Sequence, residues 1–320
     1  MTLEELKQKL AFLFDGKTAT DARVYFLVNG NLRFADIEDA PRKEIKDGLV
    51  QYIRDKFIDN ETLNYSTLSE GEDKKNTVYR YDLEQVVSGL SCMDSVLEHK
   101  QEEPLSFSTE SFTDVDAFVF VLGTESQKVV LYKRHLSFTV LRKNKLRFIK
   151  SADHLVRLND DVINMETTFE FMKVAGHLFV LSTKVLENNF NVDQVRKNEA
   201  NGRLAFIEGL GIVENIEALK DVIGERKYAK HILRVRTTAK ALELPFAELR
   251  DFVRSHPKLK RRLKFNGTED KFMFHTMTSR ELFLKLLHDD FVESRLTKTL
   301  YDSADKKGLT ADEEPDEGEE

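Results

Sequence analysis

The chain has 320 residues, 41% of them hydrophobic, so it can bury one large core or two moderate cores without disulfides or a structural metal. Cys92 is the single cysteine, which excludes an intrachain disulfide and a zinc site built from several thiolates, and is typical of the cytoplasm. The net charge is −7, but residues 1–127 carry −11, residues 128–264 carry +12 and residues 265–320 carry −8. Because a field of one sign concentrates ligands of the opposite sign, the middle block favours a polyanionic partner.

Residues 1–110 are predicted to form an acidic α/β domain. Leucines at helical spacing from Leu3 predict an opening amphipathic helix. Two β-rich runs, RVYFLV and NLRFADI, flank the turn-favouring pair Asn29-Gly30 and predict a hairpin. A second helix is expected from Pro41 to about Phe57, and the polar segment 65–77 is expected to be a loop.

Residues 111–306 are predicted to form a basic domain, with a central antiparallel sheet or half-barrel followed by a mainly helical region. DAFVFVLG and KVVLYKRHL flank a polar turn, and TFEFMKV and HLFVLS flank Gly176, so each pair predicts a hairpin. After Ser182 the apolar period becomes helical. Residues 307–320 are rich in acids and are predicted to be a disordered tail. The fold class is therefore α+β.

Positive charge concentrates in three segments of the middle block. KVVLYKRHLSFTVLRKNKLRFIK holds eight Lys or Arg residues and no acid, and RKYAKHILRVR and RSHPKLKRRLK follow later in the chain. Contacts of this kind with phosphates release condensed counterions and supply most sequence-independent affinity for DNA. The predicted DNA-binding residues are Lys133, Arg134, Arg142, Lys143, Lys145, Arg147, Lys150, Arg226, Lys227, Lys230, Arg234, Lys258, Lys260, Arg261, Arg262 and Lys264.

Other interpretations of the same charge remain open. Each basic segment is also consistent with a solvated face, or with a protein-interaction subunit whose basic surface docks an acidic partner. The sequence carries no clear helix-turn-helix, zinc finger or aromatic RNA-recognition motif, so strong sequence specificity is not expected.

A cryptic metal-dependent nuclease is the alternative enzyme. Asp160, Asp161 and Glu170, with Lys173, are the residue types that hold a divalent ion and support an attacking water. Glu170 and Lys173 are three residues apart, however, whereas residues on one face of a strand are two or four apart. We therefore expect no catalytic residues, no metal and no cofactor, and a protein that is not an enzyme.

The C-terminal segment Phe283–Lys306, FLKLLHDDFVESRLTKTLYDSADK, resembles the closing signature of the KwaB family, the soluble component of the Kiwa anti-phage defence system. That signature combines a Leu-Leu-x-Asp-Asp run, an aromatic residue, Ser-x-Leu-Thr and a Tyr. Its leucines are predicted to be core and its acids to end a helix. The matching positions are Leu286, Leu287, Asp289, Asp290, Phe291, Ser294, Leu296, Thr297 and Tyr301.

A second segment, LFVLSTKVLENNFN at Leu178–Asn191, resembles the same family's strand leading into a helix. His288 and Phe291 stand where the family pattern has Asn and Tyr. The resemblance implies a non-enzymatic, DNA-binding cytoplasmic protein that forms homodimers and blocks phage DNA replication or transcription. It also implies a KwaA-like multi-pass membrane partner that recruits the protein to the inner membrane, since the sequence shows no apolar run long enough to span one.

Overall fold

The computed structural model describes most of the chain. The described residues are 1–16, 21–69, 74–98, 103–106, 110–124, 126–135, 148–151, 154–157, 163–235, 239–293 and 300–302. They divide into two compact units, Met1–Val195 and Arg196–Glu320. The predicted boundary after residue 110 falls inside the first unit, and the predicted acidic tail, 307–320, lies outside the described residues.

The first unit contains helices α1 to α4 and strands β1 to β10. Its helices are α1 (Leu3–Leu10), α2 (Asp39–Ile53), α3 (Cys92–Glu98) and α4 (Thr183–Asn189). Its strands are β1 (Asp21–Val28), β2 (Asn31–Phe34), β3 (Asn64–Thr67), β4 (Thr77–Arg80), β5 (Val115–Gly123), β6 (Lys128–Arg134), β7 (Phe148–Ser151), β8 (His154–Arg157), β9 (Phe171–Val174) and β10 (His177–Val180).

Eight of the described strands pair into one sheet, in the order β2-β1-β5-β6-β9-β10-β4-β3. Neighbouring strands are antiparallel except β3 and β4, which are parallel, so the sheet is open and mixed. Strands β7 and β8 form a separate antiparallel pair. The predicted α+β class is confirmed. The loop predicted over 65–77 is wrong at its start, because residues 64–67 form β3.

The predicted hairpins are confirmed, and their turns show why these residues specify them. Asn29 (φ 49°) and Gly30 (φ 81°) join β1 to β2, and Ala175 (φ 47°) and Gly176 (φ 78°) join β9 to β10. Two successive residues with positive φ match the right-handed twist of the flanking strands. At the β5–β6 turn Gly123 is required, because a Cβ there would lie 2.0 Å from the carbonyl oxygen of Gln127.

The core of the first unit lies against one face of this sheet. Phe118 and Phe120 of β5 and Leu131 of β6 are buried there together with Leu6 of α1 and Ile53 of α2. These side chains come from alternate strand positions and from the apolar stripes of the two helices, as the sequence periods predict.

The second unit is mainly helical, as predicted. Its helices are α5 (Val192–Gly209), which begins at the end of the first unit, α6 (Glu217–Lys220), α7 (Arg226–Arg234), α8 (Phe246–Ser255) and α9 (Met277–Leu287). Its strands pair as two short hairpins: β11 (Lys264–Phe265) with β12 (Phe272–Met273), and β13 (Phe291–Glu293) with β14 (Leu300–Asp302).

The Leu-Leu-x-Asp-Asp run ends α9 and anchors it to the rest of the second unit. Leu286 and Leu287 are buried, and Asp289 leaves the helix with φ 59°. The side chain of Asp290 is 1% exposed; its Oδ1 lies 2.6 Å from His288 Nδ1 and 4.0 Å from Arg234 Nη2. At the start of α9, the hydroxyl of Thr276 accepts from the N–H of Ser279 and caps the helix.

Candidate nucleic-acid interface

The basic turn, which we define as His256–Lys264, connects α8 to β11. It presents Lys258, Lys260, Arg261, Arg262 and Lys264 as exposed side chains. Seven consecutive residues, 258–264, therefore carry five cations and no acid. This is the densest group of exposed positive charge among the predicted DNA-binding residues that the structure describes.

Three buried side chains hold the basic turn in place. Leu259 and Leu263 are buried, and the Leu263 N–H donates to the carbonyl of Leu259 at 2.8 Å. The ring of His256 is also buried, and its Nδ1 accepts from the N–H groups of Lys258 (3.3 Å) and Leu259 (3.4 Å). That ring packs against Phe291, 5.0 Å away between centroids. His256, Leu259 and Leu263 thus anchor the turn to the interior of the second unit. The charged residues between them face the solvent.

The charge of the basic turn is largely uncompensated. Within the described part of the chain, the side chains of Lys260, Arg261, Arg262 and Lys264 make no hydrogen bond or ion pair. The neighbouring Arg254, by contrast, pairs with Glu269. A cation with no carboxylate partner keeps its field for a ligand, and several such cations together form an electrostatic footprint for a polyanion.

The predicted cluster on α7 differs from the basic turn, because its described cations are paired or at least partly buried. Lys227 pairs with Glu281, whose carboxylate raises the pKa of the lysine. Arg234 is 9% exposed and lies near Asp290, and Lys230 is half-buried. The side chain of Arg226 lies outside what the structure describes. The described part of this cluster is therefore engaged inside the second unit.

The predicted cluster on β6 is divided between an internal ion network and undescribed residues. Lys133 Nζ lies 2.9 Å from both Glu166 and Glu170. Burial opposes the charged form of Lys133, but the two carboxylates outweigh burial and raise its pKa. Arg142, Lys143, Lys145 and Arg147 lie outside the described residues, as does the side chain of Lys150 in β7. Arg134 lines a cavity in the first unit.

The carboxylates of the nuclease alternative do not converge in the described residues. Glu170 pairs with Lys133 and accepts from the backbone N–H of Arg134 at 2.8 Å. Lys173 pairs with Asp94. Asp160 and Asp161 lie outside the described residues, within which no group of His, Cys, Asp or Glu is arranged to hold a metal ion. Each described member of the alternative is thus held by another side chain.

Sequence reasoning identified the cations of the basic turn but missed the residues that position them. The signal was present: His256, Leu259 and Leu263 recur at spacings of three and four through a run of basic residues.

Among the described helices, none combines the length and the apolar character that a membrane span requires.

The chain is similar to known proteins over most of its length. Residues 112–297 match the family model described as Kiwa protein KwaB-like. The Kiwa protein KwaB of Escherichia coli O55:H7 (strain RM12579 / EPEC) is 25% identical over 315 residues, which cover 97% of this chain and 99% of that protein. No solved structure matches the chain. Because the family model matches more than half of the residues, including the Leu-Leu-x-Asp-Asp run, this chain belongs to the KwaB family of the Kiwa anti-phage defence system.

Proposed function

We propose that this Kiwa component binds DNA without strong sequence preference, and that the basic turn is its principal contact with the phosphate backbone. The observation that carries the proposal is the set of four exposed cations, Lys260, Arg261, Arg262 and Lys264, with no partner in the described residues, on a turn anchored by Leu259 and Leu263. Phosphate contacts position a protein on DNA and carry no sequence information, which suits a defence protein that meets unfamiliar genomes.

Membership of the Kiwa system supports the setting that we propose for this binding. A KwaA-like multi-pass membrane protein recruits the chain, as a homodimer, from the cytoplasm to the inner membrane, where it blocks replication or transcription of phage DNA. In this proposal the chain is not an enzyme and needs no metal or cofactor. The pairing of Glu170 with Lys133 and of Lys173 with Asp94 supports this, because both pairs occupy groups that a nuclease site would need.

The first experiment measures the affinity for a labelled DNA duplex across a range of salt concentrations. Each phosphate contact contributes about 0.9 to the slope of log K against log salt, so the four cations without a partner predict a slope of about −4. That slope corresponds to an affinity loss on the order of 10²-fold between 50 and 200 mM salt. Duplexes of unrelated sequence should give the same slope. Binding that is insensitive to salt would overturn the proposal.

The second experiment assigns the binding to the basic turn. The triple variant Lys260→Glu, Arg261→Glu, Arg262→Glu should lose most of its DNA affinity, because repulsion replaces attraction at three phosphates. The matched control is Lys9→Glu, Lys43→Glu, Lys75→Glu, which makes the same change in net charge at exposed lysines of the first unit. Equal losses in the two variants would show that net charge decides binding, and would refute a local interface.

A third experiment separates a DNA-binding protein from the nuclease alternative. Wild-type protein incubated with phage DNA and Mg²⁺ or Mn²⁺ should shift the DNA and leave it intact. Cleavage that is abolished by Glu170→Gln would establish the alternative instead. If DNA is not bound at all, and the KwaA-like partner is captured through the same cations, the basic turn is a protein-docking surface.

A further inference from the structure

A cavity of about 680 Å³ opens at one end of the sheet in the first unit. The end of β1, the start of β5 and the end of β6 meet there because the three strands are antiparallel neighbours. The segment after α4 and the short 3-10 turn at Ser88–Leu90 complete its lining. The volume is within the range of about 300–1,000 Å³ that is typical of small-molecule sites.

A β-bulge shapes the cavity. Leu27 of β1 pairs with Ala117 and Val28 pairs with Val115, so Asp116 is the extra residue on β5. Its carbonyl accepts from the N–H of His135 at 2.9 Å, and both residues line the cavity. Bulges re-aim side chains at sheet ends and are frequent beside functional sites.

The apolar wall of the cavity is aromatic and fixed. Tyr132 is buried, and its ring meets Phe190 edge to face, with centroids 5.8 Å apart. The backbone of Gly89 lies against the ring of Phe190, since a Cβ at position 89 would be 2.8 Å from that ring. Such a wall suits a flat ligand group that packs against aromatic surface.

The polar lining offers complementary hydrogen-bonding groups. Arg134 is a donor-only cation, Asp116 an acceptor-only anion, and the amides of Asn189 and Asn191 offer both roles. None of these four side chains makes a hydrogen bond or ion pair with a described residue. The backbone N–H of Arg134 donates to Glu170 and fixes the main chain at this position. The neighbouring Lys133 is already paired with two carboxylates.

A ligand that satisfies this cavity has an anionic end for Arg134, an N–H donor for Asp116 and a flat group between them. We propose that the cavity binds a free nucleotide whose base carries an exocyclic amine, with its phosphate on Arg134. An aspartate accepts from such an amine, and an arginine binds phosphate through parallel N–H groups. The cavity shares no residue with the basic turn, so this proposal does not depend on DNA binding by that turn.

The test is calorimetric titration of the wild-type chain with AMP, CMP and UMP. AMP or CMP should bind, and UMP should bind more weakly because uracil has no exocyclic amine to donate to Asp116. Arg134→Gln should lower the affinity for AMP by at least about tenfold, since a charged hydrogen bond to phosphate is lost. The matched control is Lys128→Gln, at the opposite, exposed end of the same strand, which should bind AMP as the wild type does.

A second variant is matched to the backbone of the site. Asn191 has φ 50°, which glycine adopts freely, so Asn191→Gly removes only the amide and should weaken AMP binding without unfolding the chain. Failure of the wild type to bind any nucleotide at millimolar concentration would refute the proposal. Equal binding of inorganic phosphate, or tighter binding of free amino acids, would refute it as well.

The same variants separate the cavity from the DNA interface. The triple variant of the basic turn should keep its affinity for AMP, and Arg134→Gln should keep the salt slope of DNA binding. If a 5′-phosphorylated oligonucleotide displaces AMP and Arg134→Gln weakens both ligands alike, the cavity receives a DNA end, and the free-nucleotide proposal is wrong.

Discussion

The end of β6 and the basic turn have similar sequences and opposite electrostatic roles. Lys133 lies in a run of basic residues, yet in the structure it is held between Glu166 and Glu170. Lys260 also lies in such a run, but it is exposed and makes no ion pair with a described residue. Basic runs in the sequence therefore do not all have the same role, because the fold decides which cations are paired internally and which remain available to a ligand.

The helix α7 lies between these two extremes. It carries a strongly basic sequence, but Lys227 is paired with Glu281 and Arg234 is buried near Asp290. A charge that is paired inside the fold should matter for stability, and a charge that is exposed without a partner should matter for binding. This contrast predicts which measurement each substitution will change.

The largest effect on stability is expected at Asp290 in the second unit. Asp290→Ala removes a buried carboxylate that contacts His288 and lies near Arg234. The buried guanidinium of Arg234 then loses this nearby negative charge. Breaking a buried ion cluster by removing one partner costs about 3 kcal/mol of unfolding free energy. Urea denaturation monitored by circular dichroism measures this loss.

The control for Asp290 is its neighbour in the same motif. Asp289 is exposed, with φ 59°, so Asp289→Gly should change the unfolding free energy by less than about 1 kcal/mol. If the two substitutions have equal effects, the second acid of the Leu-Leu-x-Asp-Asp run is not an internal anchor.

A smaller loss of stability is expected in the ion network of β6, where the two carboxylates differ in burial and in their hydrogen bonds. Both lie 2.9 Å from Lys133 Nζ, but the side chain of Glu170 is 13% exposed and that of Glu166 is 68% exposed. Glu170→Ala should cost about 2 kcal/mol, because it also removes the acceptor of the Arg134 N–H. Glu166→Ala should cost much less, since an exposed ion pair is screened by water. Equal losses in thermal denaturation would show that burial does not govern this network.

Substitution of a paired cation and of an exposed cation should have opposite effects on stability and on DNA binding. Lys133→Met should lower the melting temperature and leave the salt dependence of DNA binding unchanged, because the lysine is already neutralised. Arg262→Ala should leave the melting temperature unchanged and reduce the salt slope by about 1, because one phosphate contact is lost. Parallel thermal and salt titrations of the two variants decide the matter. A reduced slope in Lys133→Met would place Lys133 in the DNA interface after all.

Much of the fold was predictable from sequence because its signals are local. The Asn29-Gly30 and Gly176 turns and the alternating strands specified hairpins, and the helical periods specified the second unit. Long-range pairing was not predictable: the pairing of β4 with β10, and the contact of Glu170 with Lys133, join segments that are far apart in the chain. For the same reason the cations of the basic turn were visible in sequence, whereas their lack of partners was not.

The smallest effect is expected from a histidine within the basic helix α7. Burial lowers the pKa of His231, and the nearby Arg234 and Lys227 lower it further. In the folded chain this imidazole therefore binds fewer protons than in the unfolded chain at pH values just below about 6.5. Stability should accordingly be flat above that pH and should fall as the pH decreases below it.

The variant His231→Gln tests this pH dependence directly. The relevant measure is the slope of the unfolding free energy against pH between about pH 7 and pH 5. Only this slope reports the difference in bound protons between the folded and unfolded chains. The slope should be smaller in His231→Gln, and the remainder should come from His135 and His177, whose pKa values burial also lowers. An unchanged slope would mean that His231 is protonated equally in the folded and unfolded chains. In that case neither burial nor the charges of Arg234 and Lys227 would disfavour protonation of His231 in the folded chain.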